Sequence, residues 1–331
     1  MNLERVNQIA KAVLYEGYML YPYRPSSVKN RQRWNFGVVY PPSFADADGN
    51  DPSTMQMECL VSGTQASALE VRLRFLHLRM RSTVSSQVSS ERGRPTDWQE
   101  AIERDVVMPP YVLADLIAGV TYFFTFPNET LSGPDPDAPV TSQYVVYRQS
   151  SVAGAIEVFA SSVQEGVFKI SVTVRNTTHH VNPGRERDAA LMQSMVSTHL
   201  VLGIQGGDFV SLLEPPDELQ SFAAKCRNVG VWPVLVGENG VRDTLLASPI
   251  ILYDYPQIAP ESAGDLFDGT EIDEILSLRI MTLTDEEKRE VRASDERARQ
   301  ILERTENMPA EQFMKLHGVV RGMRPLKEDA S

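Results

Sequence analysis

Cysteine is nearly missing from this chain: 331 residues include two, Cys59 and Cys226, far apart in sequence. That spacing excludes a disulfide framework and a zinc site built on paired Cys ligands, and leaves buried reduced thiols as the expectation. Positive charge is also scarce, with 32 Lys and Arg against 44 Asp and Glu, a formal net charge of -12. Holding a nucleic-acid backbone relies on clustered cations, so no nucleic-acid partner is expected. Long apolar runs are absent too, and no stretch approaches the roughly 18 to 20 apolar residues that a membrane-spanning helix needs. Residues 1–15 carry Glu4, Arg5 and Lys11 and lack an uninterrupted apolar segment. No signal peptide is therefore expected, and the expected location is cytoplasmic. The chain has neither a Walker loop nor a dinucleotide glycine fingerprint; Gly203-Ile-Gln-Gly-Gly reads as a hairpin turn. No cofactor is predicted.

What is present describes a globular protein. With 42% hydrophobic and 23% charged residues, the chain can bury a real core, and its length suits two domains or one large one with appendages. Residues 2–15 place Leu3, Val6, Ile9, Ala10, Val13 and Leu14 at helical spacing. Residues 56–62 and 68–81 read as strands, and in the second Val71, Leu73 and Phe75 alternate with Arg72 and Arg74. His77 continues the apolar face and is expected to be a satisfied, half-buried side chain. A short helix carrying Trp98 and Ile102, another over 111–117, an aromatic strand over 122–126 and a loop over 127–139 follow. Residues 155–161 and 167–175 form a predicted hairpin about Gln164-Glu165-Gly166. Further strands are expected over 198–204, 231–236 and 245–253, and helices over 217–225, 270–281 and 284–306. The predicted class is α+β: a β-rich body of sandwich-like antiparallel strands with short helices, ending in a helical C-terminal appendage. Its predicted divisions are 1–62, 63–140, 141–260 and 261–331.

Two stretches concentrate chemistry. Residues 15–36 interleave Tyr15, Tyr18, Tyr21, Tyr23, Trp34 and Phe36 with Arg24, Lys29, Arg31 and Arg33. Aromatic rings with Arg are the composition of protein-binding hot spots, and also of a loop whose rings cap a core. In residues 248–274, Asp254-Tyr255-Pro256 precedes Glu261, Asp265, Asp268, Glu271, Asp273 and Glu274. Acids at the start of a helix serve capping, docking, or hard-oxygen coordination of calcium or magnesium, although the spacing fits no EF-hand. His179-His180 would chelate one ion only where the backbone turns, because neighbouring strand side chains point to opposite faces. The candidate partner-binding residues are Tyr21, Tyr23, Arg24, Arg31, Arg33, Trp34, Asp254, Tyr255, Asp265 and Asp268. The alternative is a metal-dependent enzyme using Asp254, Glu261, Asp265 and Asp268 with His179 and His180, or a structural subunit of a larger assembly.

The stretches CRNVGVWPVLVGE and SPIILYDYPQIAPESAGDLFDGTEIDEILSLRIMTLTDEEK, with the opening YEGYMLYPYRPSSVKNRQRW, add a family signal. Together they resemble an uncharacterised family encoded in nickel–iron uptake hydrogenase gene clusters. The likeness extends over most of the chain and is strongest at these two ends. It implies a non-enzymatic accessory or docking protein in hydrogenase assembly or maturation, with hydrogenase subunits or maturation factors as partners. It brings no catalytic residues, and the chain lacks the paired CxxC motifs of a nickel or iron–sulfur carrier.

Overall fold

A computed structural model describes residues 3–15, 33–45, 51–85, 97–134, 143–179, 186–257, 273–294 and 296–309. The chain separates into two compact units, one of residues 1–16 and 34–257, the other of residues 17–33 and 258–331.

The first unit is built on β1, Thr54–Ser85, a strand of 32 residues. Its two edges are occupied in succession. One edge pairs with β8 (Val167–Asn176), then β3 (Tyr111–Val112), then β2 (Asp97–Val107). The other pairs with β9 (Val196–Val210) and then β6 (Gln143–Gln149). All these ladders are antiparallel. The main path of the sheet runs β10 (Trp232–Leu235), β11 (Thr244–Ser248), β9, β1, β8, β7 (Val152–Gln164), β4 (Val120–Phe126), while β5 (Glu129–Pro134) pairs with β6. The β-rich expectation holds: among the described residues there is one hydrogen-bonded sheet of 11 strands with a few short helices.

Period-two alternation decides which residues meet. Met55, Met57, Cys59, Val61, Leu69, Val71, Leu73 and Phe75 of β1 enter one core with Ile156, Val158, Ile170, Val172, Leu200 and Leu202. Leu113 and Leu116 of the one-turn helix α2 (Leu113–Leu116) pack into the same core. The opposite face of β9 and β11 is covered by α1 (Leu3–Leu14), whose Val6, Ile9, Ala10 and Val13 meet Val201, Val234 and Leu246. Strands buried on both faces read as continuous apolar runs, as Leu-Val-Leu and Leu-Leu-Ala do here. Leu60 and Val210 pack under Leu219, at the end of a 3-10 turn (Asp217–Leu219), and Ala223 of the helix that follows it, Gln220–Ala223.

Several local expectations change. The predicted helix around Trp98 is β2, because Glu100 and Asp105 pair across the ladder with Arg79 and Arg74 at 2.9 and 3.2 Å. Residues 129–134 form β5 where a loop was expected. Gly206-Gly207 is not a turn: Gly206, at φ 73°, carries β9 past an extra loop of β1 between Gly63 and Ala68. Ser67 ties that loop down, donating to the Gly206 carbonyl at 2.6 Å and accepting from the Thr64 N–H.

Both core histidines are held neutral. His77 bonds the Ser150 carbonyl at 2.9 Å, and burial, aided by the charge of Arg104, pulls its pKa down to about 4. His199 is also held near 4 by burial, although its hydrogen bond to the Ser197 carbonyl works the other way.

In the second unit, α5 (Asp273–Met281), α6 (Asp285–Ser294) and α7 (Glu296–Glu306) bury Leu276, Ile280, Leu283, Val291, Ile301 and Leu302. Thr284 and Glu287 form a reciprocal capping box at the start of α6, with bonds of 2.9 and 3.3 Å. In one straight helix Arg292 and Glu306 would stand about 21 Å apart. Their 2.6 Å ion pair, beside Lys288–Glu306 at 3.1 Å, shows instead that α7 folds back on α6.

Candidate functional site

A cleft of about 410 Å³ opens on the first unit, lined by residues 35–40, the Asp51–Pro52 turn, Arg187, Trp232 and Pro249. Its wall is a strained segment laid against the start of β9. Val39 and Met195 exchange two backbone hydrogen bonds, and the carbonyls of Phe36 and Gly37 accept from Ser197 and Thr198 at 3.0 and 2.9 Å. Three left-handed residues make this possible: Trp34 at φ 65°, Gly37 at 54° and Ser197 at 49°. At Gly37 a Cβ would lie 2.7 Å from Pro249, so glycine is required there for space as well as for backbone angle.

Arg187 begins α3 (Arg187–Leu191) and fastens the wall. Its guanidinium donates to the Trp34 carbonyl at 2.9 Å and the Asn35 Oδ1 at 2.8 Å. It also bonds the Tyr40 hydroxyl, whose pKa is nevertheless raised because burial outweighs the cation. Asn176 holds the wall from below, donating to the Val39 carbonyl at 3.0 Å. Over this framework Phe36 and Trp232 present half-exposed rings to the cleft. A fixed cation and two half-exposed aromatic rings lining one cleft suit an incoming chain segment with apolar and acceptor groups.

The sequence-derived candidates divide. Trp34 is buried in the cleft wall, with its indole N–H on Gln99 Oε1 at 3.0 Å. Arg33 is buried and belongs to the second unit. Asp254 and Tyr255 lie apart from the cleft lining, at the outer edge of β10. There Asp254 accepts the Leu235 N–H at 2.7 Å and the Ser211 hydroxyl at 2.5 Å, and the Tyr255 N–H donates to the Leu235 carbonyl at 2.7 Å. Both Asp254 oxygens are thereby engaged in holding the fold. His179 is exposed. Tyr21, Tyr23, Arg24, Arg31, His180, Glu261, Asp265 and Asp268 lie outside the described residues. Among the described residues, no three His, Cys, Asp or Glu side chains gather as a metal site. Burial raises the pKa of both thiols, that of Cys226 to about 11, so neither is poised as a nucleophile.

Sequence reasoning found Phe36 but passed over Asn35, Tyr40, Arg187 and Trp232. The available signal was Asn35-Phe36-Gly37, a turn-forming triplet inside an aromatic run; Asp51, Arg187, Trp232 and Pro249 lie 15, 151, 196 and 213 residues beyond Phe36, and only the fold supplies them.

No protein-family model matches the chain, and no curated protein matches it.

Proposed function

We propose that this is a non-enzymatic accessory protein that docks a partner segment in the cleft between Phe36 and Trp232. The observation that carries this reading is the pair of half-exposed rings that line one cleft with Arg187, itself fixed by the backbone it clamps. Rigid aromatic anchors beside an ordered guanidinium give affinity at low entropic cost. The resemblance to a family from nickel–iron hydrogenase gene clusters supplies the biological setting: assembly or maturation of such an enzyme, in the cytoplasm. In this reading the sheet wraps its core in sandwich-like fashion, and α5 to α7 form a C-terminal helical appendage. No described helix is long and apolar enough to cross a membrane.

The test is affinity capture of the tagged chain from cells of its source grown to express hydrogenase, read by mass spectrometry. Recovery of hydrogenase subunits or maturation factors by the native chain, and their loss with Phe36→Ala/Trp232→Ala, is the expected result. Capture that is indifferent to both rings overturns the cleft as the docking site. Capture of no hydrogenase protein overturns the setting.

A further inference from the structure

Among the described residues, β2, β3, β4, β5 and β10 each pair with one neighbouring strand. An open edge invites another chain, and proteins blunt such edges with charge, proline or shortness. β2 carries Asp97, Glu100, Glu103, Arg104 and Asp105; β5 carries Glu129 and Pro134; β10 carries Pro233; β3 has two residues. β4 uses none of these devices. Its sequence is Val-Thr-Tyr-Phe-Phe-Thr-Phe, without charge, proline or bulge, and it pairs in unbroken register with β7. No other backbone hydrogen bond reaches it among the described residues.

We infer that β4 pairs with β4 of a second copy of this chain, antiparallel, about a twofold axis through Phe123. The sequence of the strand is close to its own reverse. Centred on Phe123, the pairing sets Thr121 against Thr125, Tyr122 against Phe124, and Val120 against Phe126. Thr–Thr and aromatic–aromatic pairs are favourable across strands, and a twofold interface requires this kind of self-complementarity. Facing is preserved as well, because each residue meets one of the same parity. Val120, Tyr122, Phe124 and Phe126, which pack against the core, continue that layer into the second copy. Phe123 points the other way, is 72% exposed, and would meet its own symmetry mate.

The edge is also rigid. Phe124 and Phe126 lie 6.1 Å apart and 6.1 and 5.8 Å from Phe75, with Arg104 4.6 Å over Phe126. A strand held this way loses little further freedom on pairing. Seven residues span about 24 Å, which gives a small interface and a weak, reversible dimer. Each copy carries a net charge of -12, so added salt strengthens the association by screening repulsion between copies.

Sedimentation of the full chain over a concentration series, at low and high salt, tests this. The expected result is a monomer–dimer equilibrium that tightens with salt and that Phe123→Lys weakens at least tenfold without changing the melting temperature. Register is tested separately by oxidising single-cysteine variants in a Cys226→Ser background, the remaining thiol of Cys59 being fully buried. Phe123→Cys should give a disulfide-linked dimer, because position 123 faces itself. Thr121→Cys should not, since 121 faces 125. A monomer at every concentration, a dimer indifferent to Phe123→Lys, or equal linkage at 121 and 123 overturns the pairing. None of these readings involves Phe36 or Trp232, so the docking cleft stands or falls independently.

Discussion

The main path of the sheet ends in β10 on one side and β4 on the other, and the two ends are finished differently. Just past β10, Val236 donates to Thr244 of β11, while Leu235 turns both its polar backbone groups outward. Asp254 and Tyr255 take up those two groups, and Pro233, of the same parity as Leu235, offers no N–H. On β4 nothing comparable occurs among the described residues. A returning loop satisfies one edge internally; the other is left with its donors and acceptors for use between molecules. A buried neutral histidine lies toward each end: the His77 ring is 6.2 Å, centre to centre, from Phe126 of β4, and His199 lies within β9, which pairs with β11.

The largest effect on this comparison should come from acid. Both histidines have folded pKa values near 4, below the unfolded value of about 6.5, so the unfolded chain binds protons first as pH falls. Their contribution to stability is complete above about pH 6.5 and is lost as pH drops toward 4, by roughly 3 kcal/mol per histidine. Urea melts between these limits should show the decline. His77→Gln should remove about half of its slope, and a slope unchanged by that substitution would show that His77 does not titrate in this way.

Next in size is Asp254→Ala. It strips the acceptor from the Leu235 N–H and the Ser211 hydroxyl, at a cost of about 2 to 3 kcal/mol in thermal or urea unfolding. Asp254→Asn, which keeps one acceptor oxygen, should lose less. At the β4 end, Gly154→Ala should cost about 1 to 3 kcal/mol. A Cβ there would sit 2.3 Å from the Phe124 ring, which is fixed in the aromatic cluster, and 3.0 Å from the Arg175 carbonyl. The smallest stability change, within about 0.5 kcal/mol, is expected for Pro233→Ala alone. Combined with Asp254→Ala it should create a second adhesive edge, visible as oligomers beyond the dimer in light scattering. If the doubly altered chain remains no larger than the native one, the finishing of β10 has no part in controlling association.

Much of the sheet could be read from alternation, because burial on one face imposes it: Val71, Leu73 and Phe75 face the core, with Arg72 and Arg74 opposite Asp105. The hairpin of β7 and β8 and the amphipathic pattern of α1 were legible for the same reason. The continuity of β1 was not, because Gly63 and Thr64 look like a strand end; it takes the opposing Gly206 to turn that break into a bulge. Trp98 and Ile102 have helical spacing, and their strand conformation comes from cross-strand charges on β1. The division into α6 and α7 was not legible because residues 284–306 contain neither Gly nor Pro, although Ser294 is a residue type suited to starting a new helix. The cleft was half legible. Phe36 belonged to a conspicuous aromatic run, whereas Arg187 and Trp232 reach it only through the order of strands in the sheet.

The length of β1 has a consequence for how the molecule is made. Its ladders join residues 54–85 to partners as distant as Val210. During synthesis one edge of the strand stays incomplete until β8 leaves the ribosome and the other until β9 does, a wait on the order of ten seconds at ordinary elongation rates. Non-local pairing of this kind makes folding slow. A nascent chain of this protein therefore spends its early life as a long unclosed strand, and nearly two thirds of the sequence must exist before its centre can form.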